Sequence, residues 1–382
     1  MPLAVYVHIP FCTVKCGYCD FNAYAGLGDV IPAYGVALLE EIDGRAGLLA
    51  GRRITSISFG GGTPGEFPAE GLGAVITRVR ALAAEVDADA EVSIEANPGT
   101  TTLPYLRALR DAGVNRMSFG AQSFDPEELR FLDRIHSPEA IGASIALARE
   151  AGFDNVGLDL IYGLPGQTVS GWRASLERAM ALAPDHVSCY ALTVEDGTPL
   201  AHRVDRGEVV PLEPDWAADL YDEACAMLAD AGYEHYEISN WARPGRESRH
   251  NLVYWSDGDY LGIGAGAHGY LDGERYENIA HPRLYAEAVA TGNAVAARYT
   301  PDRVSAMSDW LETATRLLAG FEPTAFERRF GVAVESVVGE TLGECLDGEV
   351  LEWEPNRIRL TRRGLLLQGE VCARFLAELR RR

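Results

Sequence analysis

The chain is short of positive charge. Its 382 residues carry 56 Asp and Glu against 34 Lys and Arg, a formal net charge of −22 at pH 7. This argues against a nucleic-acid surface, because phosphate binding draws on clustered cations. The closing Arg380-Arg381-Arg382 reads as a solvated helix end, and the acidic surplus as a solubility device. Long apolar runs are missing as well: none approaches the ~18 residues a membrane helix needs. No basic or apolar leader precedes the first strand, and no low-complexity tract or close repeat interrupts the chain. A second C-x2-C pair is also absent, and with it the usual paired-thiolate zinc site. The expected setting is a reducing cytoplasm.

What the chain does have is a triad. Cys12, Cys16 and Cys19 fall within eight residues, spaced C-x3-C-x2-C, directly after the apolar stretch Leu3–Ile9. Three close thiolates can hold three irons of a cubane cluster and leave the fourth without a protein ligand. A Cys3His zinc site completed by His8 stays open as the alternative; the spacing favours iron–sulfur. Three cysteines cannot pair evenly into disulfides. Cys189, Cys225, Cys345 and Cys372 stand singly in apolar surroundings and read as small hydrophobes.

β-branched runs alternate with amphipathic Ala/Leu-rich stretches over the first half. Strands are expected at Leu3–Ile9, Ile54–Phe59, Glu91–Glu95, Val114–Phe119, Asn155–Ile161 and His186–Leu192, with helices between them. That alternation implies right-handed βαβ units and a parallel sheet, either an incomplete barrel or an open doubly wound sheet. Chemistry then belongs at the carboxyl ends of the strands. The cysteine loop, Gly60-Gly61-Gly62-Thr63-Pro64, Glu95-Ala96-Asn97, Gln122-Ser123 and Asp159 all fall there. Domains are expected at 1–210, at 211–300 as a connecting region dense in His, Tyr and Trp, and at 301–382. The last is expected to be mostly helical, with a hairpin over Val350–Leu360 and a winged-helix-like outline. Gly262-Ile263-Gly264-Ala265-Gly266 imitates a dinucleotide fingerprint, but no strand–helix unit carries it, so a close-packed loop is the expected form.

With these residues in place, the sequence resembles the radical S-adenosylmethionine (SAM) proteins, and among them the oxygen-independent coproporphyrinogen III oxidase group. The resemblance covers nearly the whole chain. It implies a partial (β/α)6 radical-SAM barrel with a smaller helical C-terminal domain, and a [4Fe-4S] cluster on Cys12, Cys16 and Cys19. It further implies SAM on the open iron, contacted by Tyr6, Tyr18, Gly61, Gly62, Thr63 and Glu95. Gln122, Arg134 and Asp159 match positions for a second SAM.

Two features separate the chain from the oxidase itself, which resembles C-x3-C-x2-C-x-C. Phe21 stands where that enzyme keeps a fourth cysteine, and only a few residues precede the first strand. His250-Asn251-Leu252-Val253-Tyr254-Trp255 matches the H-N-x-x-Y-W motif of the heme-chaperone branch. That match implies heme as a further cofactor, with His250 as candidate axial ligand and His268 behind it. The implied partners are apo-hemoproteins such as respiratory enzymes, and a second copy of the chain. The oxidase reaction, another two-SAM enzyme such as a methyltransferase, and a purely structural cluster stay open as alternatives.

Overall fold

Strands and helices alternate in the first half as the pattern requires. The computed structural model describes residues 2–381. Strands β1 (Pro2–Ile9), β2 (Arg53–Gly61), β3 (Glu85–Ala96), β4 (Arg116–Gln122), β5 (Val156–Tyr162) and β6 (His186–Ala191) pair in parallel, in chain order. The helices between them are α1 (Ile31–Gly44), α2 (Ala69–Leu82), α3 (Leu103–Ala112), α4 (Pro138–Glu150) and α5 (Val169–Ala181). Local chemistry sets their ends. Thr102 and Thr168 accept hydrogen bonds from the backbone N–H groups of Tyr105 and Gly171, and Gly113 closes α3 at φ +101.

The strands carry two different faces. Ile57 and Phe59, Val92 and Ile94, Met117 and Phe119, and Val187 and Cys189 join the apolar core shared with the helices. The alternate positions are polar: Ser58 on β2, Ser93 and Glu95 on β3, Arg116 and Ser118 on β4, Asp159 on β5, His186 and Ser188 on β6. Those side chains turn to the concave side and line a cavity. A parallel sheet is usually apolar on both faces, so this polar inner face marks the functional side.

The segment expected to be a connection supplies half of the sheet. Glu234–Glu237 (β7) and Asn240–Ala242 (β8) lie antiparallel beyond β6. Tyr260–Ile263 (β9) pairs in parallel with β1, and His268–Leu271 (β10), Glu274–Asn278 (β11) and Val295–Tyr299 (β12) continue from it antiparallel. The order of the twelve strands is β12-β11-β10-β9-β1-β2-β3-β4-β5-β6-β8-β7. Its two edges stay apart, so the barrel is partial. The Gly262–Gly269 stretch runs from the end of β9 through the tight connection into β10, with a second strand where a dinucleotide fold needs a helix. A Cβ on Gly262 would lie 2.0 Å from the His268 carbonyl oxygen, so strand packing accounts for that glycine.

The mostly helical C-terminal part builds a second core around Trp310, Leu311, Phe326, Val338 and Phe375. The expected hairpin is there, Leu351–Glu354 against Arg357–Leu360. Buried Glu237 on β7 receives Arg316 at 3.0 Å, tying this part to the sheet. Among the described residues no helix is long and apolar enough to cross a membrane.

Candidate metal and cofactor site

The carboxyl ends of the six parallel strands open on a cavity of about 460 Å³. Cys12, Cys16 and Cys19 line one wall of it, in the loop after β1. Backbone pairing holds that loop: the N–H groups of Gly62 and Thr63 donate to the Ile9 and Phe11 carbonyls, each at 2.8 Å. A Cβ on Gly62 would lie 2.7 Å from the Phe11 oxygen, so only glycine lets the loops after β1 and β2 stack. Gly61 adopts φ +112, and a Cβ there would meet the His8 ring at 2.4 Å. On the far side, Leu200 N–H donates to the Gly17 carbonyl, and Tyr18 packs against a small cluster of Leu132, Ile161 and Leu164.

The thiols fit a cluster. All three are free and half-buried. Burial pushes the Cys12 thiol up to about 11, and burial raises Cys19 as well. A redox or nucleophilic cysteine works through a lowered pKa. The raised values therefore speak against a redox or nucleophilic role, and a metal held here would have to displace the thiol protons. Thr63 Oγ1 accepts from Asn97 Nδ2 at 3.0 Å and lies 3.3 Å from Cys12 Sγ, while Arg134 Nη1 reaches Cys16 Sγ at 3.5 Å. Among the described residues no three His, Cys, Asp or Glu side chains converge as a single-ion site does. His8 cannot complete a zinc tetrahedron. Its Nε2–H donates to the Asn22 carbonyl at 2.9 Å, and its Nδ1 accepts from the Tyr6 hydroxyl at 3.0 Å. A cubane differs from a single ion in taking each thiolate on a separate iron, so the sulfurs need not meet at one point.

Two carboxylates face the cavity from neighbouring depths. Glu95 opens onto the cavity, yet protein surrounds it on every other side. Burial, then the Asp159 charge, push it up to about 7, against the opposing Gly61 N–H bond. Asp159 is held by Ser118 (3.0 Å) and Ser188 (2.7 Å); burial raises it, and these serines with Arg116 and Arg134 work the other way. Arg134 is committed to Asn97 Oδ1 at 2.5 Å and the Gly120 carbonyl at 2.7 Å, with its Nε buried and unbonded. Gln122 lines the same cavity from a left-handed backbone, φ 63, a conformation uncommon for a side-chain-bearing residue.

The cavity therefore gathers Cys12, Cys16, Cys19, Tyr18, Gly61, Gly62, Thr63, Glu95, Gln122, Arg134 and Asp159. Tyr6 is not in its lining; it sits one layer behind, bonded to His8 and near Glu95 and His250. The sequence reading missed Ser58, Ser93, Ser118, His186, Ser188, Tyr190 and Asn251, all in the lining. The available signal was polar residues recurring at every second position of four strands, β2, β3, β4 and β6.

His250 stands elsewhere. It opens α6 (Arg249–Trp255), a helix packed across the base of the barrel, and is only 2% exposed. Its Nδ1 bonds Ser56 at 2.9 Å and its Nε2 bonds Tyr254 at 2.8 Å, so no nitrogen is free for an iron. Burial drives its pKa down to about 3. Glu91 secures the helix start by accepting the backbone N–H groups of Arg249 and His250. Of the six motif residues, Asn251 is the one that reaches the cavity. His268 is exposed and also outside the lining.

The sequence profile of the Radical SAM superfamily matches residues 6–179. The heme chaperone HemW of Mycobacterium tuberculosis is 41% identical over 382 residues, covering 98% of this chain and 95% of its own. The chain belongs to the HemW family of the radical SAM superfamily. The Escherichia coli member of the family is 35% identical over 99% of both chains. Coproporphyrinogen III oxidase (HemN) from Escherichia coli, a radical SAM enzyme, superposes with a TM-score of 0.85 at 28% identity, over 98% of this chain and 90% of that one.

Proposed function

We propose that the chain is a heme chaperone: it binds heme, carries a SAM-ligated [4Fe-4S] cluster, and delivers heme to apo-hemoproteins. The observation that carries this reading is the end-to-end similarity to heme chaperones, through both the barrel and the C-terminal core. In this reading Cys12, Cys16 and Cys19 hold the cluster. When bound, the cluster with its SAM supplies a one-electron reductant beside a sulfonium.

The chain's own residues do the positioning. Glu95 offers a carboxylate to an ammonium. Asp159, oriented by two serine hydroxyls, is ready to accept from a ribose diol. Tyr18 covers the cysteine side, and Gly61, Gly62 and Thr63 form the floor against which the methionine part would rest. Arg134 braces Cys16 and Gly120 and screens the charge of the thiolates. Gln122 and Arg134 border the space for a second SAM. The proposed acceptors are respiratory hemoproteins, the compartment is the cytoplasm, and a second copy of the chain is a proposed partner.

The oxidase fold match favours one rival reading, porphyrinogen decarboxylation. Phe21 in place of the oxidase's fourth cysteine speaks against it. Incubating the reconstituted chain anaerobically with coproporphyrinogen III, SAM and reductant should give no protoporphyrinogen. The same preparation loaded with hemin should pass it to an apo-hemoprotein, read as a shift of the Soret band to the acceptor's position. Protoporphyrinogen in the first assay, or no transfer in the second, overturns the reading.

A further inference from the structure

Lys15 is the only lysine of the chain; the other 33 of its 34 basic residues are arginine. It sits inside the cysteine triad, between Cys12 and Cys16, and borders the cavity. Its ammonium donates to the Phe21 carbonyl at 3.0 Å. That carbonyl already receives the Ala23 N–H at 2.6 Å, so the bond braces the loop without being the sole partner of either group. Two of the three ammonium protons have no bonded partner among the described residues. The other cations of the lining are committed: Arg134 to Asn97, Gly120 and Cys16, and Arg116 to the Arg246 carbonyl beside Glu91.

Around this ammonium the rim carries exposed apolar side chains. Phe21 is 60% exposed, Val14 42% and Tyr190 41%, and all three border the same opening. Phe21 and Val14 flank Lys15 on the cysteine loop, and Tyr190 ends the inner face of β6. Exposed aromatic faces beside a point cation suit a flat, apolar ligand with acidic arms. Asp20 and Glu195 also border the opening and repel an acidic arm, which leaves the Lys15 side for it. Elsewhere the lining mixes serines, carboxylates and committed arginines with largely buried aliphatic side chains such as Ile94 and Ile161. In the heme-chaperone reading the cluster and SAM already claim this cavity of about 460 Å³, so a macrocycle belongs over the rim rather than inside.

We infer that heme docks at the mouth of the barrel, with its macrocycle across Phe21, Val14 and Tyr190 and a propionate on the Lys15 ammonium. This rests on the heme-chaperone reading and assigns it a place. His250, closed off at the base of the barrel, takes no part in the docking.

The lone lysine makes the test direct. The full chain, with its cluster reconstituted, is acetylated with succinimidyl acetate with and without saturating hemin, and modification of Lys15 is followed by peptide mass. Bound hemin should slow Lys15 acetylation about tenfold, and hemin dimethyl ester, whose propionates are blocked, should protect less. An unchanged rate overturns the placement. In Soret titrations Phe21→Ala and Lys15→Glu should each weaken hemin binding about tenfold, Lys15→Arg should keep most of the affinity, and His250→Ala should bind as the parent does. Brown cluster absorbance in the variants reports that the loop is intact. Parent-like affinity in Phe21→Ala and Lys15→Glu overturns the placement and leaves the chaperone reading standing. Absence of hemin binding by the parent chain removes both.

Discussion

The mouth and the base of this barrel both carry residues that sequence patterns associate with metals, yet their chemistry is opposite. At the mouth, three half-buried thiols, an ammonium with spare donors and the exposed side chains of Phe21, Val14 and Tyr190 surround open space. At the base, His250 has both nitrogens bonded, Glu91 caps the helix that carries it, and the buried Arg116–Glu91 pair closes the layer at 3.8 Å. A residue type suited to ligation becomes a ligand only where its valences are left open. The thiols have long contacts, Thr63 at 3.3 Å from Cys12 and Arg134 at 3.5 Å from Cys16, and face open space, whereas the histidine has spent both nitrogens on Ser56 and Tyr254.

The largest effect should come from the mouth. Replacing Cys12, Cys16 or Cys19 by Ala should abolish the brown absorbance after anaerobic reconstitution while leaving the fold intact by far-UV circular dichroism. Full iron and sulfide content in any of the three would remove that residue from the cluster. At the base, the same comparison predicts a fold defect with no ligand defect. Glu91→Gln removes the carboxylate nearest to buried Arg116, leaving only the more distant Asp159 charge, and weakens the cap on α6; it should cost about 3 kcal/mol in denaturant unfolding. Cluster content in Glu91→Gln should equal that of the parent. A variant as stable as the parent would show that the base tolerates an unpaired charge and is not the closed layer described.

His250 sharpens the contrast through pH. Its folded pKa, about 3, lies below the usual histidine value, so the fold holds it neutral while the unfolded chain takes up a proton below about pH 6.5. Stability therefore drains away as pH falls through that window, and His250 alone accounts for about 2 kcal/mol by pH 5. His250→Gln can still bond Ser56 and Tyr254 but cannot titrate. Its stability loss between pH 7 and pH 5 should be smaller than the parent's by about that amount. Equal losses would mean that His250 is solvated and free, as an axial ligand would need to be.

The parallel half of the fold was legible because period-two apolar runs alternate with amphipathic stretches; most strand ends fall within three residues of the expected ones, but β3 begins six residues before Glu91, where the acidic Glu85–Ala90 stretch hides it. The antiparallel half was not. β9–β12 are short, rich in Gly and aromatic residues, and depend on close approaches that composition hides, such as Gly269 under the Tyr276 ring, where an added Cβ would lie 2.2 Å from the ring. At the site, the clustered motifs were legible, and most of their residues do meet in one cavity. The serines were not, because a lone Ser58, Ser118 or Ser188 reads as ordinary polarity until the sheet sets them side by side. The place of His250 was hidden for a different reason: the H-N-x-x-Y-W spacing says that the residues form one helical turn and a half, and only packing decides which of them face the cavity. Asn251 does, and its neighbour does not.

The smallest predicted effect again sets an open valence against a closed one, now within the cavity. Glu95 and Asp159 both face it, but two serine hydroxyls satisfy Asp159, whereas Glu95 meets the cavity with little beyond the Gly61 N–H. Near pH 7 Glu95 is therefore divided between its two protonation states, and only the carboxylate attracts an ammonium. As pH falls below about 7 the carboxyl takes up a proton, and SAM affinity contributed by Glu95 should fall about tenfold per pH unit. Calorimetric titration of the cluster-loaded chain with SAM at pH 6 and pH 8 reads this directly. Glu95→Gln should bind more weakly at pH 8 and approach the parent's affinity at pH 6, because each pH-dependent step other than Glu95 is common to both chains. A constant ratio between parent and variant across that range would mean that Glu95 is ionised throughout and that the Asp159 charge does not reach it.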